Sequence, residues 1–303
     1  MFIINIIIII MEYFKTIDFP IGFNFSFIQS TIDENKFIGS IRVVTSIPGR
    51  TYPECISDTY ILEFDKEFNI ISSYKLDQEL EGIPKYKAYS AGFEDCRLIS
   101  DNSFFCTSLD TNPYWKPEML YVEFSATEKQ VTVIKKLYFE NQEPQVEKNW
   151  VILKKNNNIF ECLYWCNPLQ IISVDINTGI TKIIKEYNIP NIIERNRHGG
   201  CSIWLETEKK YLIIVRNFNK DNKYAYESSS WILLDEKYDF CGISEPFTFL
   251  EIITYDLCLS LHLDNNILYA ALTFGEKTMC IYKCHLNKIL DKILDNINDV
   301  NIL

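Results

Sequence analysis

Basic residues are in short supply. Thirty Lys and Arg stand against 41 Asp and Glu, a formal charge of −11. A general nucleic-acid binder needs a broad cationic face to displace phosphate counterions, so that function class is excluded. A small cationic pocket is not. Glycine and proline number only ten each in 303 residues. No stretch is rich enough in Pro, Gly and Ser to be an interdomain linker, and no P-loop, nicotinamide or nucleotide signature occurs. A long hydrophobic run is missing too. The Ile-rich start, Met1 to Ile10, is about half the length that spans a bilayer, and it lacks the basic leader and small-residue cleavage site of a secretory signal. Met11 follows directly and is a candidate true start, the alternative being a disordered or docking extension. The expectation is a cytoplasmic protein with neither membrane nor nucleic acid as partner, and a homo-oligomer is left open.

Apolar residues make up 47% and charged residues 23%, enough for a sizeable core and too little polarity for wholesale disorder. The 20 Phe and 18 Tyr, with abundant Ile, favour strands. Ten cysteines lie mostly inside apolar runs and read as buried, reduced thiols. Two near-pairs, Cys162/Cys166 and Cys280/Cys284 before His285, suggest zinc at first sight. In a strand, however, a spacing of four sets two side chains about 13 Å apart, too far to chelate one ion directly. No metal site is expected.

A paired-strand unit recurs five times, beginning at Phe23, Asp95, Asn149, Gly200 and Leu257. Each copy joins two apolar strands through a polar turn: Asp33-Glu34-Asn35, Asp101-Asn102, Asn156-Asn157-Asn158, Glu206 to Lys210, and Asp264-Asn265-Asn266. Asn and Asp tolerate the left-handed backbone of hairpin turns. A second, more amphipathic hairpin follows each first one, the last expected over Met279 to Ile289. Its alternation marks strands with one solvated face, whereas the first hairpins are continuously apolar, as strands buried on both faces are. Four strands repeated five times predicts an all-β, five-bladed β-propeller; a pair of β-sandwiches is the rival. Ile289, Leu290, Ile293, Leu294 and Ile297 recur at helical spacing and predict a C-terminal amphipathic helix. Residues 1–22 are expected as an N-terminal extension, partly disordered, and 23–303 as one propeller domain with its terminal helix.

In a propeller the starts of the inner strands converge on the central channel. There the sequence reads Glu94-Asp95-Cys96-Arg97, Glu147-Lys148-Asn149-Trp150, Arg197-His198-Gly199-Gly200 and Tyr255-Asp256. Where the second strands end it reads Asp110, Asn167, Arg216-Asn217 and Thr273 to Glu276. Strand ends meet solvent and are polar anyway, but charges set against a buried strand are paired or functional.

Gly92-Phe93-Glu94-Asp95-Cys96-Arg97, Glu147-Lys148-Asn149-Trp150, His198-Gly199-Gly200, Ser244-Glu245-Pro246-Phe247 and the run Leu259 to Gly275 resemble the landmarks of glycoside hydrolase family 130 and the related mannosyltransferases. The resemblance spans roughly residues 23 to 286 and implies a five-bladed propeller enzyme, an inverting mannoside phosphorylase or transferase. It implies Asp110 as general acid and Arg97, Lys148 and Arg216 as ligands of phosphate. Glu94, Asp95, Asn149, His198, Tyr255 and Asp256 would contact an oligosaccharide or sugar phosphate. No cofactor is implied, with inorganic phosphate as co-substrate. The plain readings are a loop or capping role for Asp110, and ion pairs of Arg97 and Lys148 with Glu94, Asp95 or Glu147.

Three departures stand out. Cys96 replaces the proline of the EDPR motif. Val215-Arg216-Asn217 replaces an aromatic-histidine-glycine stretch, where arginine can still grip phosphate bidentately. Gly275-Glu276-Lys277-Thr278 lacks the aspartate of a GxxD run. Two alternatives therefore stay open: a hydrolase of the same fold, which needs a carboxylate base for water rather than a phosphate grip, and a catalytically silent glycan-binding propeller with Trp115, Trp150 and Trp165 as aromatic platforms.

Overall fold

Left-handed turn residues close the hairpins: Asn157 has φ 52°, Asn265 47° and Asn266 67°, conformations that Asn adopts at little cost. The structure is a computed structural model. It describes residues 11–46, 55–86, 88–140, 146–166, 168–189, 196–218, 227–249, 256–275 and 277–300. After β1 (Glu12–Thr16), the first blade comprises β2 (Gly22–Gln29), β3 (Phe37–Ser46), β4 (Cys55–Phe64) and β5 (Ile70–Lys75), with a short β6 (Ser90–Gly92) beside β4. The second holds β7 (Glu94–Ser100), β8 (Ser103–Ser108), β9 (Glu118–Ser125) and β10 (Gln130–Phe139). The third holds β11 (Val151–Asn156), β12 (Ile159–Cys166), β13 (Leu169–Asp175) and β14 (Ile180–Tyr187). The fourth holds β15 (Asn196–Leu205), β16 (Lys210–Phe218), β17 (Glu227–Asp235) and β18 (Phe240–Ile243). The fifth holds β19 (Asp256–Asp264), β20 (Ile267–Phe274) and β21 (Thr278–His285), followed by helix α1 (Leu286–Val300).

The core is divided among the junctions between blades. Five clusters of buried side chains each join two successive blades, and the last, built around Phe25, Phe27, Phe64, Ala271, Met279 and Ile281, joins the fifth to the first. This closed ring is a five-bladed β-propeller and not a pair of sandwiches. Strand β16 shows why the inner hairpins read as continuous apolar runs. Tyr211, Ile213 and Val215 pack toward the third blade, while Leu212 and Ile214 pack toward the fifth. A period of two thus serves two cores at once.

The last blade departs from the expected pattern. After β21 the chain turns into α1 instead of a fourth strand. The fourth strand is β1, antiparallel to β21 with Glu12 opposite Lys283 and Thr16 opposite Cys280. Part of the stretch expected as an N-terminal extension is therefore the outer edge of the final blade. The pattern hid this because the segment after β21 has helical periodicity, with Leu286, Ile289 and Ile293 all buried against the fourth and fifth blades.

The near-pairs of cysteine each lie along one strand, Cys162 and Cys166 in β12, Cys280 and Cys284 in β21. All ten cysteines are free thiols, eight of them buried. No helix among the described residues is long and apolar enough to cross a membrane.

Candidate active site

The inner strands of the first three blades open with the same local structure. Asn24, Asp95 and Asn149 have φ of 52°, 53° and 63°, the left-handed region that Asn and Asp tolerate best among residues with a Cβ. In β2 and β7 the register with the next strand shifts across this residue. Such a bulge re-aims side chains at a strand end. In the fourth blade the shift falls between Arg197 and Cys201, across Gly199-Gly200. A Cβ on Gly200 would lie 1.5 Å from the Ile214 carbonyl oxygen, so this position admits glycine alone. The bulges lie at one end of the molecule, opposite the hairpin turns, and the ends of β8, β16 and β20 lie beside them.

Asp110 follows β8 at this end and is buried, 4% exposed. Its Oδ1 accepts a hydrogen bond from Ser108 Oγ at 2.6 Å. Its Oδ2 accepts from Lys85 Nζ and from the Gly92 backbone N–H, both at 3.2 Å. The close approach of Gly92 needs its φ of 90°, where a Cβ would meet the Ser57 carbonyl at 2.3 Å. A carboxylate held by three donors has a defined orientation.

Arg97 lies inside the ring. It is 5% exposed, and one guanidinium nitrogen donates to the Gly200 carbonyl of the fourth blade. A second nitrogen, Nη2, is buried and has no hydrogen-bond partner. Burial pulls the arginine pKa below its ordinary value, opposed by the neighbouring Cys201 thiol and by Asp95. A buried donor without a partner is costly and marks a place where a ligand or water belongs. Asn24 Oδ1 is in the same condition.

The ion pairs expected of Arg97 are formed by another residue. Arg42 of β3 reaches Glu94 at 2.6 Å and Asp95 at 3.8 Å, and its Nε donates to Ser57 Oγ at 2.9 Å. Ser90 Oγ also donates to Glu94, at 2.5 Å, and Asn24 Nδ2 donates to Asp95. Across the bulge of β7, Arg97 is turned away from these carboxylates and toward the axis.

Lys148 is exposed beside half-buried Asn149. Its neighbour Glu147 is buried, and accepts from Trp150 Nε1 at 3.2 Å and from Tyr164 OH at 3.1 Å. Trp150 is fully buried against Phe139 and Tyr164, which removes it from the set of exposed aromatic platforms. Burial raises the Glu147 pKa, and its two hydrogen bonds oppose the rise. A carboxyl whose folded pKa exceeds its unfolded value contributes most to stability at low pH, and that contribution is lost as pH rises through the raised value. Glu147→Gln is therefore expected to raise Tm relative to the parent at pH 7–8. The difference should vanish as pH falls to the ordinary carboxyl range, about 4.3. Equal melting curves at every pH would show that burial of this carboxyl carries no cost.

Arg216 stands in β16 opposite Arg197 of β15. His198 and Asp256 lie in the inner strands β15 and β19, with side chains outside the described part of the structure. Asn167, Tyr255 and Glu276 lie outside the described residues altogether. Sequence reasoning passed over Asn24, Arg42 and Lys85. Asn24 was within reach, because a lone Asn in the apolar run Gly22–Gln29 holds the register of Asp95 and Asn149. Lys85 carried no signal, since it sits in the connection between the first two blades. Among the described residues no group of three or more His, Cys, Asp or Glu is placed to hold a metal.

Solved five-bladed propellers share this fold at low sequence identity. Similar structures include a β-1,2-mannobiose phosphorylase from Listeria innocua, with TM-score 0.59 and 12% identity over 93% of each chain. A glycosyl hydrolase from Bacteroides ovatus matches with TM-score 0.62 and 11% identity over 86% of this chain and 83% of that one. By sequence, no protein-family model matches the chain and no curated protein does. At such identity the likeness concerns the fold, and it agrees with the propeller implied by the sequence motifs.

Proposed function

We propose that the chain is a carbohydrate-active enzyme that cleaves or forms β-mannoside-like bonds by phosphorolysis or the reverse transfer. The observation that carries this reading is Arg97, a buried cation with an unused donor, in the same blade as the oriented, buried carboxyl Asp110. In the forward direction a phosphate oxygen bonds to the anomeric carbon as the glycosidic C–O bond breaks on the opposite face. The departing oxygen takes the proton of Asp110, directly or through a sugar hydroxyl, and the anomeric configuration inverts. Arg97, Lys148 and Arg216 are assigned to phosphate. Glu94, Asp95, Asn149, His198, Tyr255 and Asp256 are assigned to the sugar, and phosphate is a co-substrate in place of a cofactor.

The deciding measurement is release of sugar 1-phosphate from manno-oligosaccharides with and without inorganic phosphate. Free sugar in both reactions would instead mean hydrolysis. Phosphate should also raise Tm by binding the native state, and the rise should shrink in Lys148→Met, whose exposed side chain can change without disturbing the core. An identical phosphate response in that variant would remove Lys148 from the anion site.

One observation favours a second reading. Asp110 is already engaged by Ser108, Lys85 and Gly92, an arrangement that also suits a propeller binding glycans without chemistry. Absence of turnover together with oligosaccharide binding would select it.

A further inference from the structure

Seven tyrosines and tryptophans among the described residues are exposed, and five of them lie at the end of the molecule that holds Asp110. Tyr86 and Tyr89 belong to the connection between the first two blades. The Tyr86 N–H donates to the Asp110 carbonyl at 2.7 Å, and the Tyr89 carbonyl accepts from the Cys55 N–H at 2.8 Å. Tyr114 and Trp115 follow Asp110 in the connection from β8 to β9, 68% and 54% exposed. Trp165 stands near the end of β12, its ring 6.0 Å from that of Tyr164, which is bound to Glu147. The rim is continuous from the second blade to the third, because the Glu147 N–H donates to the Pro117 carbonyl at 2.9 Å.

The connection carrying Tyr114 and Trp115 is fastened from beneath. Asn112 Oδ1 accepts from the N–H groups of Tyr114 at 3.0 Å and Lys116 at 3.2 Å, and its Nδ2 donates to the Lys116 carbonyl at 2.7 Å. Thr111 Oγ1 donates to Glu118 at 2.8 Å. Within this frame Trp115 has φ 56°, a costly backbone for a bulky residue. Folding gains little from a strained, half-exposed indole, so its position calls for another use.

We propose that Tyr86, Tyr89, Tyr114, Trp115 and Trp165 form a binding rim for the part of a β-linked oligosaccharide that extends out of the central site. The proposal rests on the glycan reading above and deepens it: the ligand is an oligomer and not a disaccharide. Hexose rings present flat C–H faces that pack on aromatic rings, while their hydroxyl edges remain hydrated beside the Tyr and Trp polar tips. A protein partner fits less well. Five half-exposed rings offer roughly a few hundred Å², below the ~800 Å² that each partner contributes to a standard protein interface.

The test is calorimetric titration of the full chain with β-1,2- and β-1,4-linked manno-oligosaccharides from two to six units long. Affinity for one linkage series should rise roughly tenfold between the disaccharide and the tetrasaccharide, the worth of one or two ring contacts. Trp115→Gly suits the left-handed backbone and should not lower Tm or change disaccharide affinity while abolishing the gain with length. Tyr114→Ala should halve that gain or more. Affinity independent of length in the parent chain, no binding at any length, or an undiminished gain in Trp115→Gly would overturn the proposal. So would a change of oligomeric state in Trp115→Gly by sedimentation, which would assign the rim to contact between copies. Disaccharide turnover is read separately. Its presence without a length effect overturns the rim alone, and its absence with a length effect overturns only the reaction at Asp110.

Discussion

Asp110→Asn is expected to lower turnover of an active substrate by about 10²–10⁴-fold, the usual worth of a general acid, with little change in KM. The substitution keeps the shape and the hydrogen bond from Ser108, but removes the transferable proton. It also leaves Lys85, now 3.2 Å from Oδ2, without a carboxylate partner, so a modest fall in Tm should accompany the kinetic effect. The two consequences separate cleanly. Lys85→Met removes the same ion pair and keeps the acid, so it should lower Tm by a similar amount without the full loss of rate. Sugar 1-phosphate release measured for all three proteins checks this. Near-normal turnover in Asp110→Asn would remove it as the acid, and Asp95 would be the next carboxyl to test.

Shortening the chain from its start should bring the largest loss of stability. A chain begun at Met11 keeps β1, whereas one begun at Phe19 loses it and exposes the edge of β21 from Cys280 to Lys283. Also lost are the buried side chains of Met11 and Ile17, 7% and 3% exposed, each worth about 1.5–3 kcal/mol on burial. The hydrogen bond from the Ile17 N–H to the Met279 carbonyl at 2.9 Å goes with them, as does that from Lys15 to the Glu67 carbonyl at 3.0 Å. A net destabilisation of roughly 3–6 kcal/mol follows from these burials, together with self-association through the bared strand edge. Chemical denaturation and sedimentation of the two chains test it; equal stability would mean that the ring is held closed without β1.

The fivefold unit was legible because inner and outer strands differ in what they bury. An inner strand such as β16, buried at every position from Tyr211 to Val215, must be apolar there, whereas β10 interleaves buried Val131, Ile134, Leu137 and Phe139 with exposed and half-buried positions. The hairpin turns were legible from Asn and Asp for the same local reason, as was the terminal helix from its period. The closing strand was not. Glu12–Thr16 is too short to declare a partner, and its pairing with β21 joins residues more than 260 positions apart. The motif residues Glu94, Asp95, Arg97 and Asp110 could be named from the sequence, but their partners could not. Glu94 and Asp95 are claimed by Arg42 of another blade, and Arg97 spans the ring to a carbonyl of the fourth. By itself, then, the sequence determined the strands, the turns, the helix and the number of blades, since each follows from local periodicity and backbone preference. Only the tertiary structure decided which strand completes the ring and which charge meets which, because these contacts join segments far apart in the chain, which local periodicity does not specify.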